Sequence, residues 1–251
     1  MTKKIRVACV FALVASAGFF LTRTLTIKSQ QSGFTPFTAT MESRSYNPDG
    51  TLSSSHQRLY AVRSNGTKIE ILKIPTPDGR LTDGKSVTDL DAGLMVSAVE
   101  ATESLITHPL RAETVAKYRR APTACTSDPT AEHSKILGYD VVRVKREWHV
   151  AGRFTLVDKW VAPALNCFAL KSTSTGGAEG EPASYPYVQE VLFVLPGEPS
   201  PSLFEIPVGY VERSPSEMNA EFERRFPGHS IFPPTTAEHL DGIYQKNQQN
   251  R

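Results

Sequence analysis

The chain is poor in the residues that build reactive centres. Its 251 residues include three cysteines, two tryptophans and six histidines. The histidines (His56, His108, His133, His149, His229 and His239) are scattered. No pair has H-x₃-H spacing and no Cys/His group has zinc spacing, so no metal site is readable. G-x-S-x-G, S-x-x-K, P-loop and G-x-G-x-x-G motifs are all missing. Their absence removes the common local signatures of hydrolases, nucleotide-binding proteins and dinucleotide cofactor sites. A hydrolase assembled from distant residues is then the least favoured reading; no cofactor is expected and the primary expectation is no enzyme. Only one long apolar run exists, which excludes a multi-span membrane protein. A net charge of +2 is too small to argue for nucleic acid.

Acidic residues are also absent from the start: the first is Glu42. Residues 1–28 hold five basic residues and no acid; the remainder carries 23 basic against 26 acidic residues. The positive sign therefore belongs to the N-terminus. Lys3, Lys4 and Arg6 precede Val7–Leu21, an uncharged apolar run. As a helix this run would be about 22 Å long, short for a span and long enough for a signal core. Ala15-Ser16-Ala17 fits a small-x-small cleavage site, yet Phe19, Phe20 and Leu21 continue the apolar run past it. A cleaved signal peptide and an uncleaved anchor through residues 5–22 in the inner membrane are both open. Either one places the rest of the chain in the periplasm or cell envelope.

Export changes the reading of cysteine. Cys125 and Cys167 are the two outside this segment. An even pair in an oxidising compartment argues for one disulfide, with two buried thiols as the alternative. Neither has the surroundings of a nucleophile.

After a polar linker at residues 29–35, alternation begins. Phe37, Ala39 and Met41 share one face of a strand, and Thr38, Thr40, Glu42 and Arg44 the other. Asn47-Pro48-Asp49-Gly50 and Asn65-Gly66 are turn signals that divide residues 37–74 into a meander of three strands. Weaker strands follow near 85–90, 94–99 and 103–108, then a short helix over 111–120 and a loop carrying Cys125.

The clearest alternation lies later. Val142, Val144, Trp148 and Val150 fall on even positions of one strand; Phe154, Leu156, Trp160 and Ala162 fall on even positions of the next. Placing both apolar sets on one face pairs Val150 with Phe154 and Trp148 with Leu156. That register points Trp148 and Trp160 the same way and sets Arg146 opposite Asp158 as a buried ion pair. Strands at 166–172 and 187–195 follow, separated by a glycine-rich loop. Ser214-Pro215-Ser216-Glu217 starts a helix, and Met218, Phe222 and Phe226 form its apolar stripe. Residues 227–251 read as a flexible tail, with a weak helical pattern at 236–246.

Two segments resemble one family. Trp160, Pro163, Leu170 and Lys171 within residues 158–171 resemble the strand-turn-strand of the LolA-like carriers, which sort bacterial outer-membrane lipoproteins. Leu203-Phe204-Glu205-Ile206-Pro207-Val208-Gly209-Tyr210 resembles the L-F-x-x-P-x-G-Y segment that ends such domains. The resemblance spans about residues 36–213 and extends to envelope proteins with cysteines at the positions of Cys125 and Cys167. It implies a mainly β (α+β) domain over residues 36–226, a curved antiparallel half-barrel sheet with a few short helices. It also implies an apolar concave face that takes lipid or lipoprotein acyl chains. An uncleaved N-terminal anchor would set the chain apart from the carriers, because a free shuttle could not keep one; its few helices before residue 214 are a second departure. The expected ligand face is Met41, Trp148, Leu156 and Trp160. A membrane-anchored sensor or scaffold, holding an envelope protein partner as anti-sigma-factor regulators of similar fold do, is the alternative.

Overall fold

Apolar and polar residues alternate over most of the chain, and the chain accordingly folds as strands. A computed structural model describes residues 33–47, 49–119, 125–150, 152–180, 184 and 186–248. The expected signal or anchor at residues 1–28 lies outside the described residues, as does most of the linker. Among the described residues no helix is long and apolar enough to cross a membrane.

Twelve strands form one open, curved sheet. The first six are β1 (Phe37–Tyr46), β2 (Leu52–Val62), β3 (Lys68–Pro75), β4 (Leu81–Asp89), β5 (Leu94–Val99) and β6 (Ser104–Pro109). Helix α1 (Ala112–Arg119) follows. Then come β7 (His133–Ile136), β8 (Tyr139–Val150), β9 (Arg153–Ala162), β10 (Phe168–Ala178), β11 (Tyr187–Pro196) and β12 (Val211–Glu212), and helices α2 (Pro215–Arg225) and α3 (Pro234–Gln248). The spatial order is β12-β6-β5-β4-β3-β2-β1-β11-β10-β9-β8-β7. Every neighbour pair is antiparallel except β12 with β6. The mainly β class and the curved antiparallel sheet expected from the sequence are what the chain adopts.

Directly opposed residues of antiparallel strands share a face. Phe37 opposes Val62, Val62 opposes Lys68, Met41 opposes Arg58, and Tyr60 opposes Glu70. These side chains define one face, called here the cleft face. On the reverse face Ala61, Ile69 and Val87 oppose one another, and Leu203, Phe204 and Ile206 cover them. The segment resembling the family's end motif is therefore a cover for the reverse side of the meander. A larger apolar cluster includes Phe34, Phe37, Ala39, Val62, Leu90 and Leu165, all under 9% exposed.

The β8–β9 hairpin corrects the expected register. Val150 opposes Arg153, Trp148 opposes Thr155, and Arg143 opposes Trp160. The slip of one residue follows from a connection one residue shorter than expected, in which Gly152 takes φ = 70°. Trp148 therefore lies on the cleft face and Trp160 on the reverse face, not together. Arg146 opposes Val157, so the expected pair with Asp158 does not form. Asp158 is held instead by Arg143, whose Nε and Nη2 donate to it at 2.9 and 2.5 Å.

Helix α2 starts as its sequence signals. The backbone N–H of Glu217 donates to Ser214 Oγ at 3.3 Å, and that of Ser214 to Glu217 Oε2 at 2.7 Å. Met218 and Phe222 are buried, but the helix sits beside the β5–β6 connection rather than across the sheet: Arg225 Nη1 donates to Ala101 O at 3.0 Å. The segment expected to be a flexible tail carries α3. Asp241 accepts from the Ser216 N–H at 3.0 Å, Ala237 is buried, and the Tyr244 ring meets His108 edge-on.

Candidate functional site

The Asn65-Gly66 turn and the strands beside it create the site. Gly66 takes φ = 86°, and a Cβ there would fall 2.6 Å from the Phe34 ring. A tight turn without a side chain thus lets Phe34 pack against it. Phe34 and Phe37 then begin an aromatic floor. Phe168 stacks on Tyr60 at 4.7 Å between centroids and lies 5.1 Å from Phe37. With Met41, Val62 and Leu165 these rings line a cleft of about 490 Å³, within the roughly 300–1,000 Å³ typical of ligand pockets. Helix α1, which has no buried residue, brings Lys117 and Tyr118 to the cleft. Its last residue, Arg119, donates to Leu90 O at 3.0 Å and to Asp91 at 3.2 Å, which ties α1 down.

The polar part of the lining is unequal in charge: Arg58, Lys68, Lys117 and Lys159 face one acid, Glu70. Arg58 pairs with Glu70, and its Nη2 also donates to Ser43 Oγ at 2.8 Å and to the Tyr187 hydroxyl at 2.7 Å. The Lys68 Nζ stands 5.0 Å from the Tyr118 ring centroid and 5.8 Å from that of Phe34, and burial pushes its pKa down. Burial, with Glu70 adding to it, pushes the Tyr60 phenol above its ordinary value, so the hydroxyl stays neutral.

Cys125 and Cys167 form the disulfide, with Cα atoms 5.3 Å apart. Asn166 and Cys167 both take positive φ, 57° and 59°, in the turn between β9 and β10. Asn166 fixes that turn by bonding the backbone of Thr35 in both directions at 2.9 Å. Cys167 and Lys159 line the main cleft and also a smaller one of about 240 Å³, which Val144, Arg146, Trp148, Val157, Val161 and Cys125 complete. Of the expected ligand face, Met41 thus reaches the main cleft and Trp148 the smaller one. Leu156 and Trp160 lie on the reverse face. A depression there of about 530 Å³ is lined by Lys145, Glu147, Leu156, Val157, Asp158 and two threonines among others, a surface that mixes charged groups with apolar area. Among the described residues, no group of three His, Cys, Asp or Glu is arranged to hold a metal ion.

Sequence reasoning missed Tyr60, Phe168, Lys68 and Lys159. The signal for the first was present: Tyr60 and Val62 share a face of β2 across from Phe37 and Ala39, so one meander register would have gathered them.

The chain is similar to several solved structures. A LolA superfamily protein from Nitrosomonas europaea matches at TM-score 0.33 and 9% identity, covering 68% of this chain and 90% of that one. MucB matches at 0.29 and 15%, covering 77% and 64%. An outer membrane lipoprotein-sorting protein domain from Vibrio parahaemolyticus matches at 0.20 and 12%, covering 71% and 92%. No protein-family model matches the chain, and no curated protein matches it. At these scores and identities, the functional reading rests on the geometry of this chain.

Proposed function

We propose that this is an exported, non-enzymatic envelope protein that binds the acyl chain of a lipid or lipoprotein in the cleft between the sheet and α1. The observation that supports it is the cleft itself, floored by Phe34, Phe37, Met41, Tyr60 and Phe168 and large enough for a chain. About ten methylenes at ~0.8 kcal/mol each would contribute ~8 kcal/mol, the micromolar range before ordering costs. A closed Cys125–Cys167 bridge fits a compartment outside the cytosol.

The test compares the two faces. Full chain, stripped of lipid, is titrated with a fluorescent fatty-acid probe. Met41→Glu puts a charge beside the cleft floor and is expected to weaken binding at least about tenfold. Leu156→Glu on the reverse face is expected to leave affinity unchanged. Equal affinities for both variants, or no saturable binding by the parent chain, would contradict the proposal.

A further inference from the structure

Resting on the acyl-chain reading, we infer that the cleft's ligand carries an anionic head, a carboxylate or a phosphate, held by Lys68, Lys117 and Lys159. The three lysines line one cleft, and none has a carboxylate within ion-pair distance among the described residues. Several cations elsewhere on the sheet have carboxylate partners, whereas Lys85, Arg146 and Arg153 have none among the described residues. Arg44 and Lys171 share Glu190, Arg143 takes Asp158 and Glu132, and Lys73 takes Asp83. The one acid of the cleft, Glu70, is engaged by Arg58. The site is therefore an apolar floor with uncompensated positive charge at its edge.

Lys68 is the sharpest instance. It is half-buried at the start of β3, and its ammonium has two aromatic rings as neighbours in place of an anion. Ring faces stabilise an ammonium less than a carboxylate or phosphate does when the group is shielded from water. Burial lowers its pKa, the sign of a charge that is poorly solvated and would gain from a counter-ion. Lys159 opposes Val144 on one side and Ser172 on the other, so no acid can reach it from a directly paired position. Lys117 approaches from α1, which lines the same cleft. Cations on three separate elements, β3, α1 and β9, around aromatic and aliphatic side chains match an amphiphile with one anionic end. A neutral head would leave all three without a partner.

Probes of equal chain length separate the head from the chain: the fatty alcohol, the fatty acid and the alkyl phosphate, each titrated into delipidated full chain by displacement of a neutral fluorescent alkyl probe. The acid and the phosphate are expected to bind at least about tenfold more tightly than the alcohol at low salt, with the gap narrowing as salt rises. Whichever of the two binds more tightly names the source of the anion. Lys68→Met and Lys159→Met are expected to reduce this preference, read within each variant as the ratio of the acid's affinity to the alcohol's. Lys117→Met, on a helix with no buried residue, removes one cation without touching the core and is expected to act in the same direction. Equal binding of all three probes would overturn the anionic head and leave the acyl reading standing. Binding of none would overturn both. An acidic peptide without an acyl chain that displaced the probe as well as the fatty acid did would also overturn it, in favour of a protein partner.

Discussion

Asp158 shows how much one side chain's partners decide. Arg143 grips it with two donors, reaches Glu132 with Nη1 at 2.8 Å, and lays its guanidinium 5.5 Å from the Trp160 ring centroid. The Arg143 hydrogen bonds hold the Asp158 carboxyl below the usual carboxylate range, as Lys171 and Arg44 do for Glu190. A carboxyl whose folded pKa lies below its unfolded value stabilises the fold above the unfolded value, near 3.9 for Asp, and loses that contribution as pH falls through the folded one. Asp158→Asn is therefore expected to be less stable than the parent chain at neutral pH and to lose less stability below about pH 4. Denaturant midpoints measured across pH check this; identical pH profiles would contradict it. Asp158 was legible in the sequence as a polar residue needing a partner, but Arg146 was the wrong partner. Both faces of this hairpin carry apolar and charged residues: Trp148 and Val144 on one side, Leu156 and Trp160 on the other. Gathering all apolar residues on one face is a sound rule only where a single face is buried. Here a two-residue turn and the charges of Arg143 and Asp158 set the register.

At the scale of elements, the disulfide joins the loop before β7 to the turn that opens β10, across 42 residues. Replacing Cys125 and Cys167 together with serine is expected to lower unfolding free energy by about 2–4 kcal/mol. Because Cys167 lines both clefts, acyl affinity should fall as well. Chemical denaturation and probe titration of the double variant measure the two effects, and an unchanged midpoint would contradict a structural role. The pairing was legible because Cys125 and Cys167 are the two cysteines outside the apolar N-terminal run. The meander was legible from its Asn-Gly turn and alternation, and α2 from its capping box. The rest of β10 was not: Thr175, Gly176 and Gly177 read as loop, yet they pair with Leu156, Thr155 and Phe154. Gly176 tolerates this because its missing Cβ avoids the Phe154 carbonyl, which would lie 2.6 Å away. Likewise α3 has a weak apolar stripe, and contacts with α2 and β6 hold it in place of propensity.

For the whole molecule, one sheet presents two chemically different sides. The reverse side is partly covered by Leu203, Phe204 and Ile206, and its β8–β11 region carries a mixed-charge surface built on Arg143, Asp158, Lys171 and Glu190. The cleft side has aromatic rings, α1 and lysines with no carboxylate partner among the described residues. The β class and the two faces of β1 were readable from alternation, and the curvature was expected from the family resemblance alone. The cleft was not, because it depends on which strands adjoin across long separations, β1 with β11 above all. The most direct test is photo-crosslinking of the full chain with a diazirine-bearing fatty acid, followed by peptide mapping. Adducts are expected on peptides containing Met41, Tyr60 or Phe168, and they should be lost when excess unlabelled fatty acid competes. Adducts centred on Leu156, Trp160 or Phe193 would contradict the account.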